Sequence, residues 1–469
     1  MSLPTDIASC HTLIKAQAQR IQELEAQSVL LLSRIEELEA RLNQNSGNSN
    51  RPPSSDREKK KPALPRKKGK KRGGQSGHKG KTLEMVEQPD VVVEHAPQRC
   101  QCGHDLANVP KYDYMKRQVF DLPQPKLEVT EHRVQVCICP ACHKAQEGQF
   151  PSDVKASVQY GHGVRSLSVL FNNAYGLSFS RIRQFFADVF GYELNESTQV
   201  TANDTCYEAL ADSEQVTRQQ LLSSTLSHYD ETGLRVAGKN YWLHTCSNHQ
   251  FTHLFVHEKR GKEALNSEAS ILPHYQGWAV HDCWSSYFGY EQCRHALCGA
   301  HLLRELQALT ERGSYWASRM QHLLLAAYAE SDQGQSVVAD VDFLRRRYDY
   351  MCRIADKEEP PPVQRYKGKR ARKTKGRNLL DRLVKHKDAV LAFAQYPEVP
   401  FTNNQAERDI RPAKVKQKIA GCFRTYKGAQ VYARIQAFIS TARKQQLNVF
   451  KELNATFRGS NFLAPNLGG

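Results

Sequence analysis

LSHYDETGLRVAG (Leu226–Gly238), NYWLHTCS (Asn240–Ser247) and FTHLFVHE (Phe251–Glu258) follow one another almost without interruption. Each is rich in β-branched, aromatic and aliphatic residues, and the breaks fall at Gly238–Lys239 and Asn248–His249, where turns form readily. The stretch predicts three consecutive strands. Beyond it the pattern alternates: a helix over Lys262–Ser270, strands over Gly277–Asp282 and Gln292–Leu297, and a helix over Gly299–Leu309.

Three strands followed by alternating helix and strand is the order of a ribonuclease-H-like α/β sheet. In that order the first and fourth strands are neighbours. Asp230 ends the apolar run LSHYD on the first, and Asp282 ends GWAVHD on the fourth, so the two acids are expected side by side. Glu407, near the start of a helix in TNNQAERDIRP, could face them. Three converging carboxylates would hold two Mg²⁺ (or Mn²⁺) ions, which prefer oxygen ligands. Such a pair activates an attacking water or 3′-hydroxyl and stabilises the leaving oxygen of an in-line displacement. Each acid also has a structural reading. Asp230 could be a strand-end turn residue, Asp282 could cap the next segment, and Glu407 could close a capping box with Asn404. Glu231 is expected on the opposite face of its strand and Asp409 on the other side of its helix. No Ser–His–Asp arrangement offers an alternative chemistry.

Upstream, Ile14, Gln17, Ile21, Leu24, Ser28, Leu31, Ile35, Leu38 and Leu42 are spaced by alternating steps of three and four. That heptad seam predicts a coiled coil and a homo-oligomer; a helix packed on its own domain is the other reading. Residues 43–81 have almost no apolar content and are expected to be disordered when free. The helical stretches between Val164 and Leu210, broken at Gly176 and Gly191, read either as a helix-turn-helix-like unit or as a plain connector. The layout is then a coiled coil (1–44), a basic linker (45–82), a zinc-binding β module (83–155) and a helical region (156–222). A catalytic domain (223–419) with a helical insertion (313–395) and a C-terminal helical tail (420–469) complete it.

The net charge of +17 points to a polyanionic partner, most simply DNA. Ten Lys/Arg against one Glu crowd Arg57–Arg72, among them Lys67, Lys68, Lys70, Lys71 and Arg72. Such a run tracks phosphates without reading sequence. A second basic run spans Arg365–Arg377, and Arg408, Arg411, Lys414, Lys416 and Lys418 share the Glu407 helix. Both runs could equally be solvated charge. Neither an export signal nor an apolar run long enough to span a bilayer is evident, so a cytoplasmic, chromosome-associated prokaryotic protein is expected. In a reducing compartment the 13 cysteines read as metal ligands or buried side chains. Cys100, Cys102, Cys139 and Cys142 suggest a structural Zn²⁺ site, with Cys137, His104 and His143 as substitute ligands. Cys293, His295, Cys298 and His301 also have ligand-like spacing, but are expected to position neighbours by hydrogen bonds.

The chain resembles transposases of the insertion sequence sixty-six family. NSGNSNRPPSSD, GGQSGHKGK, YDETGLRV, VHDCWSSYF, CGAHLLREL and TNNQAERDIRPAKVKQK carry the resemblance over nearly the whole length. It implies that Asp230, Asp282 and Glu407 are a DDE triad with a helical insertion between the second and third acids. It also implies a zinc-binding domain, and small accessory proteins from the same element. A catalytically silent, zinc-containing DNA-binding protein derived from a transposase is the rival class.

Overall fold

The computed structural model describes residues 6–45, 47–49, 83–110, 112–331, 336–362 and 373–464. Lys67, Lys68, Lys70, Lys71 and Arg72, and most of the run Arg365–Arg377, lie outside the described residues. The chain divides into two compact units, one of Met1–Glu58, Gln149–Ala187 and Glu193–Gly469, the other of Lys59–Gly148 and Asp188–Tyr192.

In the smaller unit, β1 (Val136–Ile138) and β2 (Ala145–Glu147) form an antiparallel hairpin. In the larger, α1 (Ile7–Leu42) is one long helix, and Ile14, Ile21, Leu24, Leu31, Ile35, Leu38 and Leu42 along it are all exposed. Asn45 and Asn48, at the start of the stretch expected to be disordered, form a hydrogen-bonded turn. Asn45 N–H donates to Asn48 Oδ1 (2.8 Å), and Asn48 Nδ2 donates to Glu311 Oε2 (2.7 Å).

Four helices follow: α2 (His162–Asn173), α3 (Phe179–Phe190), α4 (Glu196–Ala209) and α5 (Ala211–Leu222). A buried amide pair, Asn173 Nδ2 to Asn203 Oδ1 at 2.6 Å, ties α2 to α4. Within α3, the side chains of Arg181, Arg183 and Gln184 are exposed while Ile182 and Phe186 are buried.

The three-strand stretch folds into β3 (Leu226–Val236), β4 (Lys239–Ser247) and β5 (Thr252–His257), paired antiparallel in sequence. Ala237 and Gly238 join the first two with φ of 48° and 76°. Two positive φ values give the chain reversal the twist that matches the strands. The side chain of Asn248 closes the second turn by accepting the N–H groups of Gln250 and Phe251. After a single helical turn, α6 (Lys262–Leu265), come β6 (Trp278–His281) and β7 (Arg294–Leu297), each parallel to its neighbour, giving the order β5-β4-β3-β6-β7. The expected helix over Lys262–Ser270 is therefore cut short, its remainder a turn in which Ser267 Oγ donates to Ala264 O. A five-stranded mixed sheet in this order, flanked by helices, is consistent with a ribonuclease-H-like core.

Alternation on β3 divides the layers. Leu234 and Val236 pack with Leu243, Leu254 and Val256 against α12 (Asn404–Ala420) and α13 (Tyr426–Lys444) through Ile410, Ala413, Ala429, Tyr432 and Ala433. Tyr229, on the opposite face, packs with Leu221, Cys246, Tyr275 and Tyr287. Between β7 and α12 run α7 (Gly299–Thr310), α8 (Tyr315–Glu330), α9 (Val341–Glu358), α10 (Lys375–Lys385) and α11 (Lys387–Gln395). Their core around Trp316, Met320, Tyr348 and Leu391 continues into Trp278 and Val280 of β6. The chain ends in α14 (Val449–Phe457), packed with α2 and α13. No helix among the described residues is long and apolar enough to cross a membrane.

Candidate active site

β3 and β6 are in parallel register, with Leu226 opposite Trp278 and His228 opposite Val280. Carried two residues further, that offset sets Asp230 level with Asp282, just past the end of β6. Asp230 follows His228 by two residues and Asp282 follows its partner Val280 by two, so alternation sets both acids on one face of the sheet, the face that α12 covers at β3. Glu407 is in the first turn of α12. The half-buried Asp230 carboxyl is held well above the usual carboxylate range, first by desolvation and then by repulsion from Glu231, Asp282 and Glu407. The bond Asp230 accepts from the Glu231 N–H (2.8 Å) opposes that shift. Asp282 Oδ1 accepts the Trp284 N–H at 2.9 Å, as the capping reading of Asp282 expects. Among the described residues, no ammonium or guanidinium bonds Asp230 or Asp282.

Glu407 does not close a capping box. The N-cap of α12 is Asn403, with no side-chain cap bond, and Glu407 Oε1 is buried without a hydrogen-bond partner. Its nearest basic neighbours are the Arg304 guanidinium, with Nη2 at 3.7 Å, and the His301 ring, with Nδ1 at 3.9 Å. The Asn403 side chain instead bridges to β3, accepting from His228 Nδ1 (2.8 Å) and donating to Tyr229 O (2.7 Å). Burial lowers His228 to about 4, so its ring is neutral and Nδ1 carries the donated proton. Asn403 thus fixes the start of α12 one residue from Asp230. Gly299 lets α7 reach the same place: a Cβ there would lie 2.3 Å from the Phe401 ring, and Gly299 N–H donates to Phe401 O at 2.7 Å.

The acids adjacent to Asp230 and Glu407 differ from them in kind. Glu231 turns to the opposite face, its side chain 1% exposed, bonded to Arg260 Nε (2.7 Å) and to the Tyr287 hydroxyl. The Arg260 guanidinium also lies over the rings of Trp242 and Trp284, at 5.1 and 4.4 Å. Asp409 is buried and paired with Lys444 Nζ at 2.8 Å, and also accepts from Ser440 Oγ.

Of the basic residues on α12, Arg408, Arg411, Lys414 and Lys418 are exposed, though the Lys414 ammonium donates to Gly233 O. Lys416 points inward. It is 8% exposed, its Nζ donates to Asn172 O and Oδ1 (2.7 and 2.9 Å), and burial lowers it to about 7. It is therefore turned away from any phosphate that meets the exposed residues.

The cysteine pairs of the smaller unit form two similar turns. Cys100 and Cys139 each sit where backbone N–H groups of their own turn lower the thiol pKa, with Cys102 and Cys142 contributing foremost. Each second cysteine is followed by a left-handed residue, Gly103 (φ 92°) and His143 (φ 54°). Among the described residues, the four sulfurs do not all lie within 4.8 Å of one another. The close-set group of ligand-type side chains among the described residues is Cys298, His301 and Glu407, whose ligand atoms lie within 4.8 Å of one another. Of the second sequence cluster, His295 lies on β7 and Cys293 just before it, and His295 Nδ1 meets His281 Nε2 of the neighbouring β6 at 3.0 Å.

No curated protein matches the chain. Residues 5–84 match a family of unknown function (DUF6444). Residues 157–431, more than half the chain and all of the sheet, match the family described as Transposase IS66 family, and the chain belongs to that family.

Proposed function

We propose that this protein cuts DNA at the ends of an insertion sequence and joins the freed 3′-hydroxyls to target DNA, with Asp230, Asp282 and Glu407 as the carboxylates that hold Mg²⁺ or Mn²⁺. The observation that carries this reading is the parallel register of β3 and β6, which sets Asp230 level with Asp282, together with Glu407 in the first turn of α12, the helix packed on β3. Among the described residues neither aspartate has a cation bonded to it, so a divalent cation fits the uncompensated charge. When bound, the ions would activate the attacking oxygen and stabilise the leaving one. The chain's own residues do the rest. Asn403 and neutral His228 hold the start of α12 against β3. Arg408, Arg411 and Lys418, exposed on α12, are suited to neutralising phosphates near the scissile bond.

Several finer assignments belong to the same proposal. The seam of α1 would pair with a second copy of the chain, since its apolar residues are exposed. Cys100, Cys102, Cys139 and Cys142 would hold a structural Zn²⁺, supported by two turns that favour thiolate. The helices α2–α4 would contact end DNA, and Lys67, Lys68, Lys70, Lys71 and Arg72 would add non-specific phosphate binding. Purified protein incubated with labelled element-end DNA tests the reading: cleaved or joined product is expected with Mg²⁺ or Mn²⁺ and none with Ca²⁺, whose coordination is looser. Binding of end DNA with no product, even with the element's accessory proteins present, would favour a catalytically silent DNA-binding protein.

A further inference from the structure

We propose that Cys298, His301 and Glu407 form a Zn²⁺ site that competes with the catalytic ions for Glu407, making the enzyme zinc-inhibited; the inhibitory consequence, though not the metal site, rests on the function proposed above. The three ligand atoms already lie within 4.8 Å of one another. Two of them, His301 Nδ1 and Glu407 Oε1, are buried without a hydrogen-bond partner and face each other at 3.9 Å. Buried polar atoms left unpaired are uncommon and call for an explanation.

The backbone builds the site. Cys298 is the N-cap of α7 and His301 lies in its first turn, so a Cys-x-x-His spacing puts both on one side of the helix start. The start of α7 favours a thiolate and disfavours an imidazolium, but burial, and after it Glu407, raise the Cys298 thiol, so the ligating thiolate forms when the metal displaces its proton. Burial and Arg304 both lower the His301 pKa, in the same sense. The Asn403 N–H reaches Cys298 Sγ at 3.1 Å, which holds the sulfur beside α12, and Glu407 follows one turn later. One sulfur, one nitrogen and one oxygen suit Zn²⁺ with a fourth position open, whereas Mg²⁺ takes oxygen ligands and does not select a thiolate. The site would therefore discriminate against the catalytic ion while occupying one of its ligands.

Full-length protein, stripped of metal, is titrated with Co²⁺ and Zn²⁺ without DNA and compared with Cys298→Ser and His301→Gln. Any metal on Cys100, Cys102, Cys139 and Cys142 is common to the three proteins and cancels. Wild type is expected to bind one more equivalent than either variant and to show additional thiolate-to-cobalt charge-transfer absorption. Affinity at this site should fall by about a hundredfold in each variant, at the upper end of what even an outer-sphere loss produces. Added Zn²⁺ should inhibit Mg²⁺-dependent cleavage by wild type, with excess Mg²⁺ reversing it, and Cys298→Ser should need about a hundredfold more Zn²⁺ for the same inhibition, in line with its lost affinity. Equal metal content and identical cobalt spectra in all three folded proteins would overturn the site. If Cys298→Ser misfolds, His301→Gln decides alone, because a glutamine amide fills the same space without ligating a soft metal as imidazole does. A lost equivalent in a protein that never cuts DNA leaves the zinc site standing and refutes the enzyme, whereas zinc-insensitive cleavage leaves the enzyme standing and refutes the inhibition.

Discussion

Glu231 stands one residue from Asp230, yet replacing it should damage the fold where replacing Asp230 should not. The Glu231 side chain is 1% exposed and holds two groups, the Arg260 guanidinium and the hydroxyl of buried Tyr287. Removing one partner of a fully buried ion pair costs about 3–5 kcal/mol. Arg260 is 39% exposed, so water recovers much of its charge and its share must be discounted. Tyr287 is 1% exposed and would lose its acceptor, at about 1–3 kcal/mol. We expect Glu231→Ala to lower stability by roughly 2–3 kcal/mol, which for a large domain lowers Tm by about 5–10 °C. Thermal unfolding followed by circular dichroism measures this, with Glu231→Gln, which keeps an acceptor for Tyr287, expected to lose about half as much. A Tm within a degree of wild type for Glu231→Ala would refute the reasoning. The same pairing makes Glu231→Ala, and Asp409→Ala with its buried Lys444 partner, poor controls for catalysis.

Asp230 should behave in the opposite way: its folded pKa lies above its unfolded value, so as pH rises from the ordinary Asp range the unfolded chain loses its proton first and stability falls. Asp230→Asn should therefore melt higher than wild type at pH 8, with the gap closing near pH 4, and a wild type that gains on the variant as pH rises would contradict it. On α12, Arg411→Ala should reduce the salt dependence of DNA binding by about one unit of slope, while Lys416→Met, replacing an ammonium turned toward Asn172, should leave it unchanged. Elemental analysis of Cys139→Ser should show about one fewer zinc per chain than wild type, and equal contents would count against the proposed four-thiolate site.

The three-strand stretch was legible because local signals agreed: apolar runs of strand length with turn residues between them. Asp230 ends the apolar run LSHYD but not the strand, which continues to Val236, so its reading as a strand-end turn residue does not hold. Asp282, by contrast, does follow the last residue of β6. The helix over Lys262–Ser270 was not, since it stops where Asn266 and Ser267 turn the chain back, a choice made by local side-chain bonds. Asn403 and Cys298 were harder still. Their roles come from partners 175 and 105 residues away, and no periodicity reports such contacts. Lys416 could have been read correctly, for it follows Asp409 by seven residues, two helical turns, and so shares the buried side of α12. The capping-box spacing around Glu407 was present in sequence, but Asn403 takes the N-cap position and spends its side chain on β3.

The most direct test is strand cleavage by Asp230→Ala, Asp282→Ala and Glu407→Ala, each assayed with wild type on labelled element-end DNA in Mg²⁺. Removing a negative charge does not weaken phosphate binding, so all three should retain the end DNA in a gel shift while yielding no cleaved or joined product. Cleavage by Glu407→Ala at the wild-type rate would contradict the account, because the third acid would then be no part of the chemistry.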